Sequence, residues 1–394
     1  MNTILYLSTQ TEMGGAQHSF LDVIRTVDTE RFLPLAVVPN RGELYRQLQR
    51  LRIDTEVIPF TTPLPFIQFL NPVVWLRNAL ALIRVARLAQ ERSVSLIHCN
   101  DGAALYVAAF ARLLHGIPVM FHVRWFEIGI RKTLVFFAAR HWVDKIVTNS
   151  GAVREFVRKE LPSTKNEISV IYNAINTDIF TPSLPKHALR EELQLPEETM
   201  IVGMVGRFIG WKNHALFIKM VKRLRDKGNA YAFCLIGAAQ FKSYTPHADA
   251  LRRSLHELIH REGLERSIHL LGYRPDIERA IAGLDVLVCP SENEPFGRVV
   301  IEAMACGVPV VASNSGGIPE IITDGESGLL VPVNDEHALA EAVKRLLNDK
   351  KLFTNISHNG RASVESRFAL KHLRQSVARE YDELLKRNSD SERQ

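Results

Sequence analysis

Short apolar runs alternate with longer amphipathic stretches along the chain, and the rhythm begins twice. In the first half, runs at 3–8, 35–39, 55–59, 96–99, 119–122, 145–149 and 168–172 predict strands. Apolar residues recurring every three or four positions predict helices near 16–27, 43–51, 73–92, 103–114 and 151–160. A linker rich in Asn, Asp and Pro ends near Pro185. The second series predicts strands at 200–205, 232–236, 268–271, 286–290 and 308–312, with a short edge strand at 328–331. Helices are expected near 213–227, 247–262, 276–282, 297–306 and 335–348, then over about 351–366 and 370–387. The polar tail 388–394 is expected to be disordered. Strand and helix in alternation mark parallel sheets covered on both faces, so the expected fold class is α/β, two doubly wound domains facing across a cleft. The expected division is 1–180, 181–369 and a terminal segment 370–394.

Composition narrows the setting. A chain of 394 residues has room for two ordinary domains, and 46% hydrophobic with 23% charged residues suits a soluble globular protein. Cys99, Cys234, Cys289 and Cys306 are far apart in apolar segments and form no C-x-x-C pair, which predicts reduced core thiols. The N-terminus enters a strand without a basic flank or cleavage site, and no run of about 18 apolar residues occurs, so a cytoplasmic location is expected. The net charge of +6 is uneven: residues 77–145 hold 10 Lys/Arg against 4 Asp/Glu. In and beside that stretch lie Trp75, Trp125, Phe126, Phe136, Phe137 and Trp142, which look exposed. Basic residues among aromatics suit an anionic membrane surface or an anionic acceptor, which would make the protein peripheral at the inner face of the membrane. A solvated helix face is the plainer reading, and no nucleic-acid module is visible.

Ligands of doubly wound sheets lie at the carboxyl ends of strands, so the strand-to-helix loops hold the chemistry. After the first strand, Gly14 and Gly15 precede a helix whose backbone N–H groups can face a phosphate, although the spacing is neither G-x-G-x-x-G nor a P-loop. In MVGRFIGWKN, Arg207 and Lys212 can converge on a diphosphate and stabilise charge growing on a departing phosphate. In LGYRPD, Tyr273 and Arg274 can cover a base. His122 ends a strand beside Arg124, either as a core histidine or as a polar contact to a sugar. Asn173, in NAINTDIF, is read as a cap or hinge, and SGGIPE with Glu320 as scaffold. Absences matter too: there is no D-x-D to hold a metal–diphosphate, no zinc spacing and no G-x-S-x-G elbow.

The most informative segment is SENEPFGRVVIEAMACGVPVVAS. Glu294 lies on the loop before a short apolar helix and Glu302 about two turns inside it. Carboxylates amid small apolar residues cost several kcal/mol unless paired or hydrogen-bonded. A sugar nucleotide offers hydroxyls in two places, the hexose and the ribose.

These loops, in this order, resemble the retaining glycosyltransferases of family GT4, which have the GT-B fold of two Rossmann-like domains. GRFIGWKN, GYRPD, the E-x7-E pattern from Glu294 to Glu302 and GESGLLVP carry the likeness most strongly. It implies a nucleotide-sugar donor, a glycan or lipid-linked acceptor, and no cofactor or metal. Arg207 and Lys212 look like the pair on the donor diphosphate, Glu294 like the ligand of the sugar hydroxyls and Glu302 like that of the ribose. Phe296, Gly297, Arg298 and Val299 would offer backbone amides, Tyr273 and Arg274 would frame the base, Gly15 would approach the diphosphate, and His122 would contact the transferred sugar. The helix at 370–387 would return to the first domain. Two departures stand out: Asn-Ala-Ile-Asn at 173–176 replaces the usual Asn-Gly-Val/Ile-Asp, and Arg298 stands where an apolar residue is common. The expected reaction is hexosyl transfer with retention, by displacement on one face; a nucleotide-sugar epimerase, a phosphorylase and a non-catalytic binding protein are the alternatives.

Overall fold

A computed structural model describes residues 1–61, 72–126, 129–162, 164, 167–225, 231–237 and 245–391. The chain forms two compact units, Met1–Asn173 with Leu370–Gln394, and Ala174–Ala369. The division falls before the expected residue 180. Ile175 donates its amide to the Phe368 carbonyl (2.9 Å), and Arg361 donates to the Phe180 and Thr177 carbonyls, so 174–180 belongs to the second unit.

The first unit is a seven-stranded parallel sheet in the order β3-β2-β1-β4-β5-β6-β7. Its strands are β1 (Asn2–Leu7), β2 (Phe32–Val38), β3 (Asp54–Val57), β4 (Val94–Cys99), β5 (Val119–Val123), β6 (Lys145–Thr148) and β7 (Ile168–Val170). Its helices are α1 (Gly15–Thr26), α2 (Glu43–Arg50), α3 (Pro72–Glu91), α4 (Leu105–His115), α5 (Gly129–Trp142), α6 (Gly151–Glu160) and, from the end of the chain, α14 (Leu370–Ser391). Side chains alternate across a strand. Leu5, Leu7, Ile97, Cys99, Phe121 and Val123 join the core with Val85, Ala108 and Val135 of α3, α4 and α5. The alternate positions, Tyr6, His98, Asn100, His122 and Arg124, form a buried polar row on the other face. There Tyr381 of α14 meets His98 (2.6 Å), and Glu380 holds the buried Lys145 ammonium (2.8 Å). The terminal helix thus docks on the first sheet.

The second unit is a six-stranded parallel sheet in the order β10-β9-β8-β11-β12-β13. It comprises β8 (Met200–Val205), β9 (Tyr231–Ile236), β10 (Ile268–Gly272), β11 (Val286–Cys289), β12 (Val310–Ser313) and β13 (Leu329–Val331), the last an edge strand as expected. The helices are α7 (Ala188–Glu192), α8 (His214–Arg225), α9 (Thr245–Arg261), α10 (Ile277–Ala282), α11 (Arg298–Ala305), α12 (Glu336–Asn348) and α13 (Lys350–Arg367). Asp335 and Asp349 cap α12 and α13 by accepting from Ala338 and Leu352 amides.

Three expectations are corrected. The segment 129–142 is a helix, and its Phe136 is 4% exposed, packed in the first core, while Phe126 is partly buried against it. The tail is helical through Ser391; 392–394 lie outside the described residues, as do 226–227 of the expected helix 213–227. As expected, the four cysteines are buried free thiols. No helix among the described residues is long and apolar enough to cross a membrane.

Candidate functional site

In the second unit, β8 and β11 are neighbours although two strands separate them in sequence. Strand order reverses there, and the loops leaving the two carboxyl ends part to opposite sides of the sheet. Lys212 comes from the loop after β8 and Glu294 from the loop after β11. They meet: Lys212 Nζ is 2.6 Å from Glu294 Oε2, with side chains 13% and 8% exposed. Ser291 Oγ donates to the same oxygen (3.0 Å), and the Lys212 ammonium lies 4.5 Å from the Trp211 ring centre. A backbone bond from Glu292 N to Trp211 O (2.8 Å) ties the loops together. Arg207, half-buried, leaves β8 on the same loop.

The turn into α11 depends on Gly297, whose φ of +107° is a conformation that side chains disfavour. Phe296 is turned into the core against Phe368 (ring centres 5.8 Å apart), and Val299 is buried, so both can offer only backbone. Arg298 does more than the resemblance implied. Its Nε donates to Glu302 Oε1 one turn later (2.8 Å), and its NH1 donates to the Ala174 carbonyl (3.3 Å). The two departures from the family pattern, Arg298 and Ala174, thus touch each other. The two carboxylates expected to need partners have cations beside them, Lys212 for Glu294 and Arg298 for Glu302.

Tyr273 and Arg274, expected to cover a base, directly follow β10. Arg274 is held by Asp276 (3.0 and 2.9 Å) and Glu192 (2.5 Å), while Tyr273 is 58% exposed. Conversely, SGGIPE is more than scaffold. Gly316 has φ +57°, and a Cβ there would stand 2.0 Å from the Glu294 carbonyl oxygen. Gly317 N donates to that same carbonyl (2.8 Å), and Ser315 Oγ donates to the Glu292 carbonyl. This loop clamps the backbone that carries Glu294. A Gly-Gly pair was the only signal for it.

In the first unit, Gly14 is the buried residue just before α1, and Gly15, which opens the helix, is exposed. A Cβ on Gly15 would meet nothing within 4 Å, so the fold itself leaves room there. The switch point of this sheet lies between β1 and β4, where Asp101 accepts from Thr9 N (2.8 Å) and Thr9 Oγ1 (2.8 Å). His122 is 1% exposed. Its Nδ1 is 3.3 Å from His98 Nε2 and 3.2 Å from Arg124 NH2. Arg124 also donates through Nε to Asn100 Oδ1 (2.7 Å) and through NH1 to Asn173 Oδ1 (3.0 Å), and its carbonyl accepts from Asn149 Nδ2 (3.0 Å). Burial first, then the Arg124 charge, lowers the pKa of His98 to about 3 and that of His122 well below the ordinary value, so both rings are neutral. Three buried atoms of this cluster have no hydrogen-bond partner among the described residues: Asn100 Nδ2, His122 Nε2 and Asn149 Oδ1. Each costs about 1–3 kcal/mol unless something fills it. His98 was not singled out from the sequence; its signal was its place in the alternating row with Tyr6 and His122.

Among the described residues no three His, Cys, Asp or Glu side chains come together as a metal site.

Comparison with known proteins bears on both units. Residues 13–179 match the family model described as Glycosyltransferase Family 4, and residues 185–363 match Glycosyl transferases group 1. The chain is similar to a D-inositol 3-phosphate glycosyltransferase of Stackebrandtia nassauensis, with 30% identity over 64% of this chain and 56% of that protein; it therefore spans little more than half of that relative's length. It is 26% identical to the capsular polysaccharide biosynthesis glycosyltransferase CapM of Staphylococcus aureus over 78% of this chain and 81% of CapM. Its structure is similar to that of HepE from Anabaena in complex with UDP-glucose, with a TM-score of 0.81 and 25% identity over 97% of this chain and 100% of that one. Two doubly wound α/β units, this likeness and two family models that together run through both units lead to one conclusion: the chain belongs to the family 4 glycosyltransferases, with the GT-B fold.

Proposed function

We propose that the protein is a retaining glycosyltransferase that moves a hexosyl-type sugar from a nucleotide-sugar, UDP- or GDP-linked, to a glycan acceptor. The observation that carries this reading is the Lys212–Glu294 pair at the switch point of the second sheet. It sets a cation for a diphosphate beside a carboxylate for sugar hydroxyls. In this reading Arg207 and Lys212 stabilise the charge that develops on the leaving phosphate, the role a bound divalent ion would otherwise fill. Glu302 binds the ribose, which requires Arg298 to share or release it. A double displacement needs a carboxylate nucleophile. Glu294 is a poor one, because Oε2 already accepts from Lys212 and Ser291. Attack on the face from which the phosphate leaves, with that phosphate taking the acceptor's proton, fits better. HepE, solved with UDP-glucose, supports a uridine donor.

The test is calorimetry with UDP-, GDP- and ADP-sugars, then NMR of the product's anomeric configuration. One nucleotide-sugar should bind, and the product should keep the donor's configuration. Inversion would sink the mechanism. Epimerised donor without acceptor, or phosphorolysis, would favour the epimerase or phosphorylase; binding without turnover would favour a carrier.

The acceptor is taken to be lipid-linked and presented at an anionic membrane surface. Supporting this, Trp75, Leu76 and Leu80 of α3 and Phe137 of α5 are all at least half exposed, beside exposed Arg77, Arg84, Arg87 and Arg140. Apolar side chains among arginines suit phosphatidylglycerol headgroups and acyl chains. The protein should co-sediment with phosphatidylglycerol vesicles at low salt and not with phosphatidylcholine alone. Trp75→Ser with Phe137→Ser should abolish this, and indifference to both lipid charge and variant would rule the surface out.

A further inference from the structure

We propose that Arg298 relieves the donor site of a strict demand for ribose, so that it also binds 2′-deoxyribonucleoside diphosphates and their sugars. The inference deepens the transferase reading and rests on its assignment of Glu302 to the ribose. The residues that carry it, Ala174, Arg298 and Glu302, all belong to the second unit.

Arg298 is the first residue of α11, and Glu302 stands one turn later. Their side chains are 15% and 12% exposed, and Arg298 Nε lies 2.8 Å from Glu302 Oε1. Nothing in the helix itself favours a cation at that place. The amino end of a helix carries partial positive charge, which opposes an arginine in the first turn. The guanidinium is held there by the Glu302 carboxylate and by the Ala174 carbonyl, to which NH1 donates (3.3 Å). The Ala174 anchor does not involve Glu302, so a nucleotide that shares the carboxylate leaves the guanidinium in place.

A site rejects a ligand that lacks a hydroxyl chiefly because its own buried group is then left unpaired. A carboxylate as enclosed as Glu302, with ribose hydroxyls as its charge-bearing site's main donors, would reject deoxyribose on that ground. Arg298 removes the ground. It gives Glu302 a charged donor before the nucleotide arrives, and Glu302 keeps that donor when a hydroxyl is missing. The loss is then an ordinary hydrogen bond and not the pairing of a charge. An apolar residue at this position, the common type in the family, supplies no such partner.

The experiment is calorimetry on the full chain with UDP, 2′-deoxy-UDP and 2′,3′-dideoxy-UDP. In the unaltered protein both deoxy ligands should bind within about tenfold of UDP, the effect of a hydrogen bond lost without an unpaired charge. In Arg298→Leu the dideoxy ligand should fall about a hundredfold or more below UDP, because Glu302 then loses the guanidinium and the hydroxyls together. Arg298→Lys keeps a cation within reach and should keep the tolerance. A purely structural arginine would lower Tm in Arg298→Leu and leave the ratio of affinities unchanged. Should Arg298→Leu not fold, Arg298→Gln removes the charge while keeping an amide donor, and its ratio should rise as well. Rejection of the dideoxy ligand by the unaltered protein, or a hydroxyl dependence that Arg298→Leu does not alter, overturns the inference and leaves Glu302 as the ribose ligand. Equal affinity for all three ligands in both proteins means that Glu302 does not read the ribose. The inference and that assignment then fall together, while the nucleotide donor stands. If UDP does not bind, GDP and ADP with their deoxy counterparts take its place, and a protein that binds none of them overturns the inference and the donor reading alike.

Discussion

Lys212→Met is expected to lower kcat by about 10²–10³-fold and to lower Tm as well. The two effects have different origins. The catalytic one follows from removing a preorganised cation beside the leaving phosphate, about 3–4 kcal/mol of transition-state stabilisation for a group of this kind. Methionine keeps the length of the side chain, so little packing is lost. The stability effect comes from Glu294, whose nearly buried carboxylate keeps the Ser291 bond but loses its counter-charge. Breaking such a pair costs about 3–5 kcal/mol. In a unit of this size that corresponds to a fall of roughly 6–20 °C.

A double variant separates the two. Lys212→Met with Glu294→Gln removes both charges, so Tm should recover most of the loss while turnover stays low. Recovery of turnover along with stability would mean that Lys212 serves the fold alone and that the catalytic assignment is wrong. Arg207→Ala should match the loss of kcat without the loss of Tm tied to Glu294.

How much of this was legible in sequence depends on the range of the contact. Arg298 and Glu302 are four apart on a helix, so their pairing follows from helical spacing alone. Lys212 and Glu294 are 82 apart, and only the strand order that puts β8 beside β11 brings them together. The doubly wound pattern implied that order without fixing which side chains would touch. Helix α5 was missed for a different reason. It carries aromatic and basic residues on several sides, so its periodicity is blurred, and Phe136 is indistinguishable by type from its neighbour Phe137. One is in the core and the other is 55% exposed. The polar row on the first sheet was half visible: His122 stood out at a strand end, while His98 was hidden inside what looked like an ordinary buried strand and Asn100 lay just past its end. Arg274 illustrates the opposite limit, since the carboxylate of Glu192 that holds it is far away in sequence.

Gly316→Ala is expected to be among the most damaging of the single-methyl changes near the site. Two costs combine. At φ +57° an alanine sits in the left-handed region, which disfavours a side chain by about 1–2 kcal/mol. The new Cβ would also lie 2.0 Å from the Glu294 carbonyl oxygen and 2.8 Å from its carbonyl carbon. Backbone cannot rotate away as a flexible side chain can, so the two loops must separate, at a further cost of roughly 1–3 kcal/mol typical of overpacking. Separation stretches the Gly317 N to Glu294 O bond and moves the carboxylate that Lys212 holds. A displacement of about 1 Å at a reacting centre is enough for a loss near 10²-fold. Gly325→Ala is the matched control: its φ is +76°, but its Cβ would meet nothing within 4 Å, so it carries the conformational cost alone. Thermal unfolding should therefore place Gly316→Ala several degrees below Gly325→Ala, and kinetics should show a loss of kcat only in the former. Equal melting points with unchanged turnover in both would mean that the glycine loop does not hold Glu294 in place.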